Sequence, residues 1–321
     1  KAARRARVLW SVGAVLTAAA VLSSALAVQV DRSVQRTLAA SYVAEDYPGA
    51  EAVRNPSLSQ ESYPMPLGPP ADVAGLDTEP AMGTECWQGP RVKAADPVQW
   101  CDGPSATNGP TVALVGSSRA LTWQPALQIV AGAYGWSLTA TARAGCPLRG
   151  FDGNRQCERW NDLVVRELLR DPPAAVVVEG TDISKSGGRA EYAYDPDGKA
   201  WKRLTDAGIE VLALRAPPRF LKNPPACAER LTGGTRTPCD RPADKLYSSI
   251  SPFAALADAS ERLHELDLTP YYCPSNTCPV VLGNVITFRD GNHFTATFAR
   301  TLAPILEEQM KEEVPELFLQ R

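Results

Sequence analysis

The sequence has 321 residues, 44% hydrophobic and 21% charged, enough for one large core with appendages. Its 33 basic and 36 acidic residues leave a formal net charge of -3. No basic stripe interleaved with aromatics is found, so nucleic acid is excluded as the expected partner.

Lys1, Arg4, Arg5 and Arg7 precede an uncharged apolar run from Val8 to Val30. Roughly 20 apolar residues cross a bilayer. A signal peptide has the same order, but its apolar stretch is normally about 7–15 residues. The run therefore reads as a transmembrane helix. Because the sequence opens on lysine, it also reads as the last span of a longer membrane protein. Lys and Arg are denser before the span than after it, which puts the following domain outside the cell. Asp31 to Ala44 continues as a stalk, so residues 1–44 form one expected unit.

Residues 45–85 form the next. Pro48, Pro56, Pro64, Pro66, Pro69, Pro70 and Pro80 exclude a long helix or a central strand. This is an extended linker, lying along the domain or spanning from the membrane. A disordered tail has the same composition.

From residue 86 to 321 the composition is globular. Cys86, Cys101, Cys146, Cys157, Cys227, Cys239, Cys273 and Cys278 fall in four sequence-local couples, which suits disulfides in an oxidising compartment. On the order of 100 pairings exist. Short loops favour Cys86–Cys101, Cys146–Cys157, Cys227–Cys239 and Cys273–Cys278. Zinc on Cys273 and Cys278 is the competing reading. No second Cys-x2-Cys or His pair accompanies them, so neither metal nor cofactor is expected.

Thr111–Val115 reads as a strand, Gly116 as a turn and Ala120–Tyr134 as a helix. A strand over Trp136–Ala142 and a helix over Glu158–Arg170 follow, the latter stopped by Asp171-Pro172-Pro173. Ala174–Glu179 is an unbroken apolar strand. Ala200–Ala207 is a helix ended by Gly208, and Glu210–Leu214 is a strand. Pro252–Leu266 reads as a helix, Thr269–Tyr272 as a short strand and Thr295–Glu313 as the last helix. Continuous apolar strands between amphipathic helices predict an α/β domain, a three-layer α/β/α stack on a parallel sheet. Ligands of such sheets bind at the carboxyl ends of the strands. The loop of Ala216 to Tyr247 follows one such end and would wall the site.

Two stretches carry chemistry. Val115-Gly116-Ser117-Ser118-Arg119 turns from a strand into a helix, a way of presenting a serine nucleophile. An ordinary capping turn has the same appearance. Asp290-Gly291-Asn292-His293 precedes the last helix and holds one of only two histidines. Asp290 would orient the His293 imidazole, leaving its other nitrogen to take a proton from Ser118, with Ser117 the competitor. His264, in Glu-Arg-Leu-His-Glu-Leu, reads as a surface or boundary residue of a charged helix.

Together these stretches resemble the SGNH hydrolase family, with its Gly-Asp-Ser first block and Asp-x-x-His last block. More narrowly, they are similar to the SGNH domain fused to membrane-bound acyltransferases of the acyltransferase-three family. The resemblance covers roughly Gly109 to Met310. It implies a flavodoxin-like fold and catalytic Ser118, Asp290 and His293. Ser117 stands where the family has aspartate, and Arg119 where a histidine often follows. An oxyanion hole needs donors aimed at developing charge. The Ser118 amide is one, and the resemblance implies a glycine amide and an asparagine side chain besides. Gly145 is the candidate glycine. Gly180-Thr181-Asp182 lies where the family often has Gly-x-Asn, so Asp182 puts an acceptor in a donor's place. Asn154, Asn161 and Asn292 remain open as the asparagine. Arg119 would supply positive charge or ion-pair on the surface.

The first expected function is an enzyme that passes an acyl group, acetyl in the simplest case, through a Ser118 ester to a hydroxyl of a cell-wall or exported glycan. Its partners would be the membrane acyltransferase domain, the glycan acceptor and a donor such as acyl-CoA on the membrane side. Ester hydrolysis is the near variant. The second is a catalytically impaired module that binds glycan or positions the membrane partner.

Overall fold

The computed structural model describes residues 46–58, 67–79, 86–89, 97–103, 109–150, 153–184, 191–231, 237–256 and 260–319, with Thr17 and Ser23. The chain divides into two units, Lys1–Tyr42 and Val43–Arg321. In the first, Thr17 and Ser23 are helical and exposed. The rest of the expected span Val8–Val30 and stalk Asp31–Ala44 lies outside the described residues. Among those described, no helix is long and apolar enough to cross a membrane.

The second unit is built on β1 (Trp87–Gln88), β2 (Cys101–Asp102), β3 (Thr111–Gly116), β4 (Ser137–Arg143), β5 (Ala175–Glu179), β6 (Thr181–Ile183), β7 (Glu191–Ala193), β8 (Glu210–Leu214), β9 (Arg241–Pro242), β10 (Leu263–Leu266), β11 (Thr277–Cys278), β12 (Val281–Leu282) and β13 (Val285–Ile286). Seven strands form one sheet in the order β1-β4-β3-β5-β8-β10, with β2 also on β4. All its pairings are parallel except β2 with β4. From β3 the chain steps out to β4, then crosses back over β3 to β5, β8 and β10. That reversal opens a crevice between the carboxyl ends of β3 and β5, the switch point at which such sheets bind ligands.

Both faces of the sheet are covered. Val112, Leu114, Val177, Leu212 and Leu214 pack in one core with the helices Gln124–Tyr134 and Ala303–Glu313. Ala113, Val115, Val176, Val178, Val211 and Ala213 pack in the other with Arg155–Arg170 and Lys199–Thr205. Strands buried on both faces have no polar side to show, hence their unbroken apolar runs.

Four expected elements differ. Pro252–Leu266 is not a helix: a 3-10 turn over Pro252–Ala255 leads later to the strand β10. On this edge strand His264 and Glu265 stay half-buried, and their charge pattern mimics an exposed helical face. Thr269–Tyr272 is a short helix, with Pro270 in its first turn, where fixed φ helps and the missing N–H does no harm. The last helix is two, Ala296–Thr301 and Ala303–Glu313, with Pro304 opening the second. Likewise Ala120–Tyr134 divides into Ser118–Leu121 and Gln124–Tyr134, with Pro125 in the second's first turn.

The described parts of the proline-rich stretch lie along this unit. Gly49 N–H donates to Gly283 O at 3.0 Å, and Gly68 N–H to Asn284 O at 2.9 Å. A Cβ at Gly283 would fall 2.5 Å from Gly49 N, so only glycine permits that approach. The eight cysteines form Cys86–Cys101, Cys146–Cys157, Cys227–Cys239 and Cys273–Cys278.

Candidate active site

The site begins where β3 ends. A Cβ on Gly116 would lie 2.6 Å from Glu179 Oε2 and 2.8 Å from Ala120 Cβ, so glycine lets the Glu179 carboxylate reach the turn. Ser117 donates its N–H to Glu179 Oε2 at 2.6 Å and its hydroxyl to Oε1 at 2.7 Å. Its Oγ also accepts the Arg119 N–H at 3.2 Å, capping the short helix. Burial pushes the Glu179 carboxyl up, against the opposing pull of the Ser117 bonds and Arg119. Ser117 is thus fully engaged below the surface. Ser118 is half-buried, and no acceptor takes its amide among the described residues. Its Oγ lies 2.9 Å from His293 Nε2.

His293 is held from behind. Asp290 Oδ1 accepts the backbone N–H of Asn292 and of His293, each at 2.9 Å. The same carboxylate lies 2.7 and 2.9 Å from His293 Nδ1. Burial would raise the Asp290 carboxyl. Its bond to His293, the His293 charge, the Asn292 amide and Arg289 outweigh this and hold it at about 2. An ionised Asp290 assigns the proton to Nδ1, leaving Nε2 as acceptor for the Ser118 hydroxyl. The loop is fixed by a bridge between Phe288 and Phe294, and Phe294 packs edge-on to Trp123 at 5.3 Å. Thr295 then caps the helix Ala296–Thr301 through the Phe298 N–H.

Two carboxylates from the proline-rich stretch sit beneath this loop. Asp77 is fully buried, and its Oδ2 accepts the Thr297 N–H at 2.9 Å while its carbonyl takes that of Ala296 at 3.0 Å. Glu79, 2% exposed, pairs with Arg289 at 3.6 Å. Burial raises the carboxyls of both. Arg289 is the residue next to Asp290, so this pair sets the charge behind the triad.

The expected oxyanion positions divide. The Gly180 N–H is spent on Leu214 O at 2.8 Å, so Gly180 is no oxyanion donor. Gly145 lies three residues past Ala142, which is in register with Gly116, and no acceptor takes its amide among the described residues. Asp182 is buried and turned into ion pairs with Arg119 and Arg219. Burial would raise it, but the two guanidiniums hold it at about 2. Arg119 is therefore no surface pair: it is buried, bound to Asp182 and donating to Pro217 O at 2.6 Å. Asn154 caps the helix Arg155–Arg170, and Asn161 Nδ2 is bound to Pro147 O and Arg149 O. Asn292 alone of the three adjoins the triad, its Nδ2 3.2 Å from His293 Nε2.

His264 lies between Glu210 and Glu313 at 3.0 Å from each, beside a cavity of about 1290 Å³ at the amino ends of the strands. It is at the opposite end of the sheet from Ser118. Asp77, Glu79, Glu179, Arg219 and Arg289 went unnoticed in the sequence. Only the adjacency of Arg289 to Asp290 gave a local signal.

A serine, a histidine and an aspartate thus lie hydrogen-bonded in series at the carboxyl end of a mostly parallel α/β sheet, an arrangement consistent with an SGNH hydrolase-like domain. The chain belongs to the family described as SGNH domain (fused to AT3 domains), which it matches over residues 85–308. That family supports acyl transfer or ester hydrolysis as the general chemistry. The structure is similar to the periplasmic domain of a lipopolysaccharide acetyltransferase of Salmonella ser. Paratyphi A, with 16% identity, 66% of this chain and 86% of that one covered, and a TM-score of 0.49. No curated protein matches the sequence.

Proposed function

We propose that this domain works outside the cytoplasm as the last station of a membrane O-acyltransferase, moving an acyl group through a Ser118 ester to a hydroxyl of a cell-wall or exported glycan. The observation that carries this is the 2.9 Å contact between Ser118 Oγ and His293 Nε2, with Asp290 on the other ring nitrogen. The family's fusion to AT3 domains supports a membrane acyltransferase as the source of acyl groups. The disulfides suit an oxidising compartment.

Ser118 attacks the acyl carbonyl as His293 Nε2 takes its proton. Asp290 offsets the imidazolium charge. The bond from the carbonyl carbon to the donor's leaving group breaks, and that group takes the proton. The acceptor hydroxyl then gives its proton to Nε2 and attacks the ester, and Ser118 Oγ leaves and regains a proton. The Ser118 amide is the first oxyanion donor, with the Gly145 amide and the Asn292 side chain as candidates to complete the hole.

One observation favours the impaired module as a second reading: Gly180 and Asp182 give no donor to an oxyanion. A serine-directed phosphonate decides. Labelling at Ser118 that His293→Ala abolishes supports the enzyme. No labelling of the wild-type protein leaves the module.

A further inference from the structure

A pocket of about 290 Å³ adjoins the triad, lined by Arg219, Phe220, Leu221, Arg241, Gly291 and Asn292. Gly291 and Asn292 belong to the His293 loop. The Phe220 N–H donates to Gly291 O at 2.7 Å, which ties the arginine-bearing segment to that loop. Among the described residues, no acidic one lines it. Behind the wall, Arg219 shares its carboxylate, Asp182, with Arg119. Arg241 has no carboxylate partner among the described residues, and its Nη1 donates only to Arg219 O, at 2.8 Å. Burial pushes its guanidinium down from the ordinary value, with no anion pulling the other way. Partly burying a cation without a counter-charge is unfavourable unless a ligand supplies one. Guanidinium forks match the oxygens of carboxylates and phosphates.

We propose that this pocket binds a carboxylate or phosphate carried by the acceptor, so that the glycan acylated from Ser118 is an anionic one. The proposal rests on the acyl-transfer reading for the word acceptor, but not for the binding itself. Arg241 holds the anion, Arg219 adds charge, and Leu221, 69% exposed, offers an apolar lip to a sugar ring. An anion seated there would lie beside Asn292, the residue before His293.

The test uses Ser118→Ala protein, so that binding is read without turnover. Digalacturonate, glucose 6-phosphate and neutral cellobiose are titrated in by calorimetry. At least one anionic sugar should bind, more weakly as salt is added, and cellobiose should not. Arg241→Gln should weaken that binding about tenfold, the loss of one charge-assisted bond, and Arg241→Lys less. Uronate binding alone identifies a carboxylate, and sugar-phosphate binding alone a phosphate. Binding of neither, equal binding of cellobiose, or unchanged binding in both Arg241 variants overturns the proposal. Phosphonate labelling of the wild-type serine is a separate readout, so either reading can fail alone.

Discussion

Ser117 gives both its amide and its hydroxyl to the two oxygens of Glu179. The competing serine is thereby anchored inward, and its neighbour Ser118 is left to His293. Glu179 comes from the end of β5, across the switch point, so two neighbouring parallel strands fix the turn together.

This division separates stability from reactivity. Ser118→Ala, His293→Ala and the double variant should all fall to the same floor of phosphonate labelling or acyl transfer, because groups acting as a unit do not add. Ser117→Ala should keep Ser118 labelling but lose about 1–3 kcal/mol of stability, since the Glu179 oxygen is left buried without its donor. Mass spectrometry of labelled peptides and urea unfolding read the two effects.

Asp182 should govern the acid limb of stability. Its carboxyl lies at about 2 in the fold against 3.8 ordinarily. Its ion pairs therefore contribute fully above about 4, and that contribution is lost as pH falls toward 2. Glu179, Asp77 and Glu79, raised by burial, act in the opposite sense: they favour the fold while protonated, and less as pH rises through their folded values. Asp182→Asn should lower stability by about 3–5 kcal/mol at neutral pH, because Arg119 stays buried without its partner. The gap from wild type should narrow below pH 4, as followed by thermal unfolding across pH.

Asp77→Ala should remove the acceptor for the Thr297 N–H at the start of the helix after His293. The loss should be about 0.5–2 kcal/mol, as for a helix cap. Slower labelling of Ser118 at unchanged phosphonate affinity would show that the loop, not the substrate pocket, has loosened.

Loop length should rank the disulfides. Cys86–Cys101 closes a separation of 15 residues and Cys273–Cys278 one of 5. In the chain-entropy account, replacing the first pair by serine should cost about 1 kcal/mol more than replacing the second. Urea midpoints and slopes of the two double variants measure this.

Much of this was legible before the fold was known. Three of the sheet's strands, β3, β5 and β8, were visible because strands covered on both faces are nearly apolar throughout, and β4 was visible as an alternating run of Leu138, Ala140 and Ala142 with threonines between. Strand β10 was hidden because an edge strand tolerates Glu265 and His264, whose pattern also fits a helix. Ser118, Asp290 and His293 stood out because turn chemistry is local. Glu179, 62 residues from Ser117, and Arg219, 37 from Asp182, leave no local trace. Asp182 was readable as a departure from a donor, but its arginine partners come from beyond the ends of the neighbouring strands, Arg119 after β3 and Arg219 after β8, and meet it only through the parallel pairing of β3, β5 and β8.

The docking of Asp77 and Glu79 redraws the unit that can be excised. The family match begins at residue 85, after both carboxylates. A protein cut there would bury Arg289 beside Asp290 without its anion and leave the helix at Ala296 unmet at its first amides. The stretch that composition marks as a tether in part supports the His293 loop from beneath, and a fragment that keeps both carboxylates must start upstream of Asp77.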